Sequence, residues 1–175
     1  LHLQRKEEAL AAFGRALALK PNNPALKEVM RTLKDEDTTQ GTRWALPWAE
    51  EAKALGSSSE DAVYLADVTA VRVQTSGISS RFNQLVVKTF TQRGVEAFRQ
   101  LPITWSPDRQ EVRVLKARIT KSDGSVVDSF SDADRNINEP WTGMYYDARA
   151  RILSFPALAP GDVLEVQWRL DDTAT

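Results

Sequence analysis

The chain has 175 residues, 23 basic and 24 acidic side chains and 42% hydrophobic residues, which bounds it to one medium globular domain or a small domain plus an appendage. Its charges balance and are interspersed, so the basic footprint that grips nucleic acid phosphates is missing, and nucleic acid is not expected as a partner. No apolar run reaches the ~18 to 20 residues that cross a bilayer, and the absence of cysteine removes disulfides, thiolate metal sites and a thiol nucleophile.

From Lys6 to Lys20 the apolar residues Ala9, Leu10, Phe13, Ala16, Leu17 and Leu19 recur at helical spacing. Lys20-Pro21-Asn22-Asn23-Pro24 ends this helix, because the residue before a proline leaves the α region, and Asn23 with Pro24 caps the next one. A second helix is expected to run to about Lys34, with Leu26, Val29, Met30 and Leu33 inward. Ala9, Phe13, Ala16, Leu17 and Pro21 resemble the second helix of a tetratricopeptide repeat, over roughly one repeat of about 34 residues. The resemblance implies a packing code without chemistry, in which small alanines admit a neighbouring helix and Phe13 fills the gap. Such a stack needs about three repeats, and Leu1 already lies inside the helical pattern, so a fragment of a longer polypeptide is expected.

Residues 1–34 are thus read as a helical hairpin, 35–60 as a linker with a short helix, and 61–175 as a β-domain. Asp35 to Gly41 is a polar loop, and Ala49 to Leu55 is a short helix ended by Gly56 and three serines. Trp44 and Trp48 flank Pro47, and two tryptophans in a connector are rarely left in water. They are expected to pin the helical part to the β-domain, with a sugar- or peptide-binding platform as the alternative.

From Ala62 onward short β-rich runs alternate with turn signals, the pattern of an antiparallel β-sandwich, immunoglobulin-like or related. Strands are expected at about Val63 to Gln74, Phe82 to Thr91, Ile103 to Trp105, Glu111 to Thr120, Ser125 to Phe130, Tyr146 to Phe155 and Asp162 to Leu170. In the last, Leu164, Val166, Trp168 and Leu170 form a buried face, and Glu165, Gln167 and Arg169 a wet one. Apolar parity switches between Val114 and Leu115, which predicts a bulge. Asp123-Gly124 supplies a hairpin turn. Val95 and Phe98 point inward from a turn or short helix near Gly94.

Tyr64-Leu65 with Asp67, Lys88-Thr89-Phe90-Thr91 before Gly94, Ile103-Thr104-Trp105-Ser106-Pro107, Gln110 to Val114 with Ala117-Arg118, Asp123-Gly124-Ser125, Tyr146-Asp147-Ala148-Arg149 and Phe155-Pro156 to Gly161-Asp162 occur in an informative order. Together they resemble the domain of unknown function that precedes transglutaminase-like domains in bacterial envelope proteins, over about Ala62 to Asp172. The resemblance implies a periplasmic or cell-envelope setting. It also implies a neighbouring papain-type Cys-His-Asp domain as the protein partner, and nothing in these residues matches that domain.

Within the chain no catalytic set emerges. His2 is the lone histidine and reads as a surface residue. Asp132 to Asn138 alternates oxygen ligands like a calcium loop, but Ile137 stands where the turn needs glycine and Gly143 where a bidentate glutamate belongs, so a polar surface loop is expected. Asp147, Arg149 and Arg151 project from one face of a strand and are expected to form cross-strand charge pairs on its solvated side; the alternative is a basic patch for a carboxylate-bearing peptide or an adjacent domain. Trp141, Tyr145 and Tyr146 beside Gly143 either cover the open end of the core or stack a sugar ring or peptide side chain. No cofactor is expected. The reading is a non-catalytic interaction or positioning module, with a glycan- or peptide-binding β-sandwich as the alternative.

Overall fold

The computed structural model describes residues 2–20, 26, 29–30, 42–73, 77–137 and 148–173. They divide into two compact units, 1–43 and 44–175. In the first, helix α1 (His2–Leu19) carries Ala9, Leu10, Phe13, Ala16 and Leu17 half-buried along one stripe, while Glu8, Ala11, Arg15 and Leu19 are exposed. Leu26, Val29 and Met30 are helical as well, whereas Pro21 and the Asn22-Asn23-Pro24 junction lie outside the described residues.

The second unit is mainly β. A short 3-10 turn (Thr42–Trp44) spans the boundary; helix α2 (Ala49–Ala54) follows, then strands β1 (Ala62–Val73) and β2 (Ser79–Thr89), helix α3 (Gln92–Phe98), and strands β3 (Gln100–Trp105), β4 (Gln110–Thr120), β5 (Val126–Val127), β6 (Ser131–Asn136), β7 (Arg149–Ser154) and β8 (Val163–Asp172). They form an antiparallel five-stranded sheet, β1-β2-β8-β4-β5, and an antiparallel three-stranded sheet, β3-β7-β6. The main core draws on both: Ile103 and Leu153 from the smaller sheet meet Val112, Ala117, Ile119, Leu164 and Val166 from the larger, with Val95, Phe155 and Leu158 beside them. Val95 and Phe98 enter it from α3, and the expected bulge appears as a register shift between Val114 and Lys116.

Three expectations are corrected. Glu165, Gln167 and Arg169 are buried, because β8 is the middle strand and its second face is covered by the segment that precedes β1. Ser131–Asn136 is an exposed edge strand, not a loop, held by its ladder with β7. The run expected at Ser125 to Phe130 pairs only at Val126 and Val127.

The residues that mark the family-like pattern are joints of this fold. Gly94 abuts the Asp61 carbonyl so closely that a Cβ would run into that oxygen. The same carbonyl accepts from Phe90 N (2.8 Å) and Thr91 N (3.3 Å), while the Thr91 hydroxyl donates to the Asp61 carboxylate (2.6 Å) and caps α3 by accepting from Gly94 N. At the same end of the sheet, beyond Thr89, the buried Asp162 carboxylate accepts from Lys121 Nζ, Ser122 N and Ala159 N, tying the Phe155–Asp162 turn to the Asp123-Gly124 hairpin. Gly124 and Gly161, with φ of 86° and 92°, supply the left-handed conformations both turns need.

Candidate functional site

The most organised polar region is a strip across the outer face of the five-stranded sheet, beneath residues 44–56. Cross-strand register sets it out in rows: Ala66, Val86, Glu165 and Arg118 form one, and Val68, Gln84, Gln167 and Lys116 the next. Opposed residues on antiparallel strands share a face, so these side chains converge. Glu165, 2% exposed, accepts from Arg118 Nε at 2.8 Å and from Gln167 Nε2 at 2.7 Å, with Lys116 Nζ at 3.6 Å. Burial pushes its carboxyl upward, but the Gln167 hydrogen bond and the charges of Lys116 and Arg118 outweigh that and hold it below the ordinary glutamate value.

A strap formed by residues 44–56 closes over the strip. The Gln84 amide accepts from Leu46 N at 2.8 Å and donates to Leu46 O at 3.1 Å, copying the paired bonds of a neighbouring strand. Trp44 lies 6.4 Å from the buried Phe82 ring, and the Arg118 guanidinium sits 6.0 Å from the Trp48 ring. Ala52 and Trp48 pack on Val86, Ala66 and Val163. Lys88 Nζ donates to Ala52 O at 2.8 Å and to Gly56 O at 3.1 Å, where the free carbonyls of α2 favour a cation.

Among the described residues the strip holds one carboxylate, Glu165, with its oxygens engaged, and it anchors the segment that crosses it. No group of three or more potential metal-ligating His, Cys, Asp or Glu side chains converges among the described residues. The sequence signal for the strip was Gln84, polar within the otherwise mostly apolar run from Phe82 to Val87.

Of the residues singled out from sequence, Trp141, Tyr145 and Tyr146 lie outside the described residues. Arg149 and Arg151 are on β7. Arg151 faces Asp134 across the ladder and makes a two-pronged pair with it, at 2.8 and 2.9 Å, with Asp132 at 3.8 Å. It shares its face of β7 with the fully buried Leu153, lies 5.8 Å from the Trp105 ring and reaches Val112 O at 3.5 Å. The charge pair therefore sits at the margin between the two sheets instead of on an outward solvated face.

No curated protein matches the chain. Among solved structures it resembles "a putative protease from Parabacteroides distasonis ATCC 8503", with TM-score 0.62, 13% identity, and coverage of 67% of this chain and 24% of that one. The likeness shows a shared fold, and the chain spans about a quarter of that protein, 24%. A CBM3a-L domain with flanking linkers, from scaffoldin cipA of the Clostridium thermocellum cellulosome, aligns at TM-score 0.32 and 15% identity over 67% of this chain and 64% of its own, too low a score to carry an argument. Residues 75–175, more than half of the chain, match the model of the Domain of Unknown Function with solved-structure structure (DUF3857), and the chain belongs to that family.

Proposed function

We propose that this chain is a non-catalytic interaction and positioning module. Its two sheets close as a β-sandwich, the helical segment is the end of a tetratricopeptide-type array that contacts other proteins, and the reacting groups reside on a transglutaminase-like neighbour in a bacterial envelope protein. The observation that carries this reading is the use of the pattern residues: Thr91, Gly94, Gly161 and Asp162 are consumed as joints, against Asp61 and Lys121, and Glu165 is locked in an ion cluster under the strap. A matching fold that makes up 24% of a much longer protein is consistent with a module serving a larger machine.

The test compares the longer protein with and without this region. Deleting the region is expected to lower turnover by the neighbouring domain or to displace the protein; unchanged rate and location overturn the positioning role. Incubation of the chain alone with peptides and peptidoglycan fragments is expected to yield no hydrolysis. Turnover there would overturn the non-catalytic reading, and saturable quenching of tryptophan without turnover would favour the binding-module alternative.

A further inference from the structure

We propose that the outer edge of β1, which no described strand pairs, is a pairing surface for a second copy of this chain, giving a two-fold dimer in which the two five-stranded sheets join edge to edge. Among the described residues the sheets end in four strands, and three are unsuited to accept another. β5 has two residues, β3 carries Pro102 in its middle, and β6 is dominated by Asp132, Asp134 and Arg135. Short length, proline and charge are the devices by which sheet edges are kept from pairing. β1 lacks all three. It is 12 residues long, its register shift is confined to Tyr64/Ala66, and from Ala66 to Val73 its ladder with β2 is regular and holds no proline, glycine or lysine.

Near its C-terminal end this strand exposes two valines, Val71 at 53% and Val73 at 67%. An extended segment with few charges and no proline is the complement such an edge fits, and among the edge strands described β1 is the one that supplies it.

Two-fold symmetry limits the register to pairings symmetric about one axis, and an axis at Val71 brings the exposed valines into the joint. Residues opposite each other on antiparallel strands face the same side, so an axis normal to the sheet sets one residue against its own copy. With Val71 on the axis, Val71 meets Val71 of the copy, Thr69 meets Val73 and Ala70 meets Arg72; no like charges oppose each other, and the exposed valines are covered against β-branched partners.

The full chain, analysed by light scattering across a concentration series, is expected to dimerise. Val71→Lys sets two ammonium groups face to face and is expected to raise the dimer dissociation constant by at least about tenfold. Val126→Lys, at an exposed position on β5, is expected to leave it unchanged. Circular dichroism and a thermal melt establish that both variants are folded. Because the chain has no cysteine, a single Val71→Cys provides a second readout. Oxidation is expected to link it to its copy, since facing Cα atoms on paired strands fall within disulfide range, while Ala66→Cys stays largely unlinked. A wild-type chain that is monomeric throughout the series, a dimer indifferent to Val71→Lys, or cross-linking that favours Ala66→Cys overturns the proposal.

Discussion

The Gln84 side chain and the Leu46 main chain exchange two hydrogen bonds, donor to acceptor in both directions, at 2.8 and 3.1 Å. A side-chain amide here does the work of an adjacent strand, fastening the strap to the centre of the larger sheet. Gln84→Ala removes both partners and leaves a gap beside Glu165, so it is expected to cost about 2–3 kcal/mol. A thermal melt measures the loss, and a red shift of tryptophan emission reports release of Trp44 and Trp48. An unshifted spectrum with unchanged stability would mean that the strap is held by its other contacts.

Acid sensitivity is expected to centre on Glu165. Its folded-state carboxyl lies below the ordinary value of 4.5, so it contributes stability that is fully present above the unfolded-state value and is lost as pH falls through the lower folded value. Glu165→Gln leaves Arg118 and Lys116 without their anion and is expected to cost about 2 kcal/mol at neutral pH. It also flattens the decline in stability below pH 4.5. Asp134 and Asp172 are likewise held low, first by hydrogen bonds from Arg151 and Ser79 respectively, so part of the acid limb persists in the variant. Denaturant titrations at a series of pH values measure the slope, and identical acid limbs in the two proteins would remove Glu165 as a source.

Local signals in the sequence were reliable wherever geometry is set by near neighbours. The parity switch at Val114 became the register shift, Asp123-Gly124 became the turn closed by Lys121 N to Ser125 O at 2.8 Å, and the Gly94 segment became α3. Long-range cover was not legible. Glu165, Gln167 and Arg169 alternate with apolar residues just as a solvated face does, and only the arrival of the strap, more than a hundred residues earlier in the chain, makes that face an interior. β6 was missed for a related reason. Its residues lack apolar alternation, and their strand conformation comes from pairing with β7, in which Asp134 meets Arg151.

Arg151→Lys tests whether the junction between sheets needs a planar cation. Lysine keeps the charge toward Asp134 but loses the two-pronged geometry and much of the contact with the Trp105 ring. A loss of about 1 kcal/mol is expected by chemical denaturation. Equal stability would show that charge alone is sufficient there.

Two glycines separate packing from propensity. Gly94→Ala drives a methyl into the Asp61 carbonyl, which already serves Phe90 and Thr91, so the corner must open. A cost of about 3 kcal/mol or more is expected, at the upper end of what overpacking produces. Gly14→Ala, on α1 with nothing within 4 Å of the new Cβ, is expected to stabilise its helix by about 0.5–1 kcal/mol. Thermal melts read both, and a neutral Gly94→Ala would show that the corner relaxes freely.

The Asp162–Lys121 pair allows the joint between the two turns to be measured without confusing an attraction with an abandoned charge. Asp162 is buried and also accepts from Ser122 N and Ala159 N, and Lys121 also donates to Ala157 O at 2.9 Å. Either single change, Asp162→Asn or Lys121→Met, leaves a charged partner stranded in the joint, and each is expected to cost about 2–3 kcal/mol. The double variant removes both charges, and the asparagine oxygen accepts from one of the two main-chain donors, Ser122 N or Ala159 N, so the second donor is lost once, as it already is in the Asp162→Asn single variant. It is therefore expected to be less destabilised than the sum of the singles, with a coupling of about 1–3 kcal/mol by chemical denaturation. Additive losses would mean that the two turns are held by their main-chain bonds, including Gly161 N to Thr89 O at 2.8 Å, and that the ion pair adds nothing to the joint.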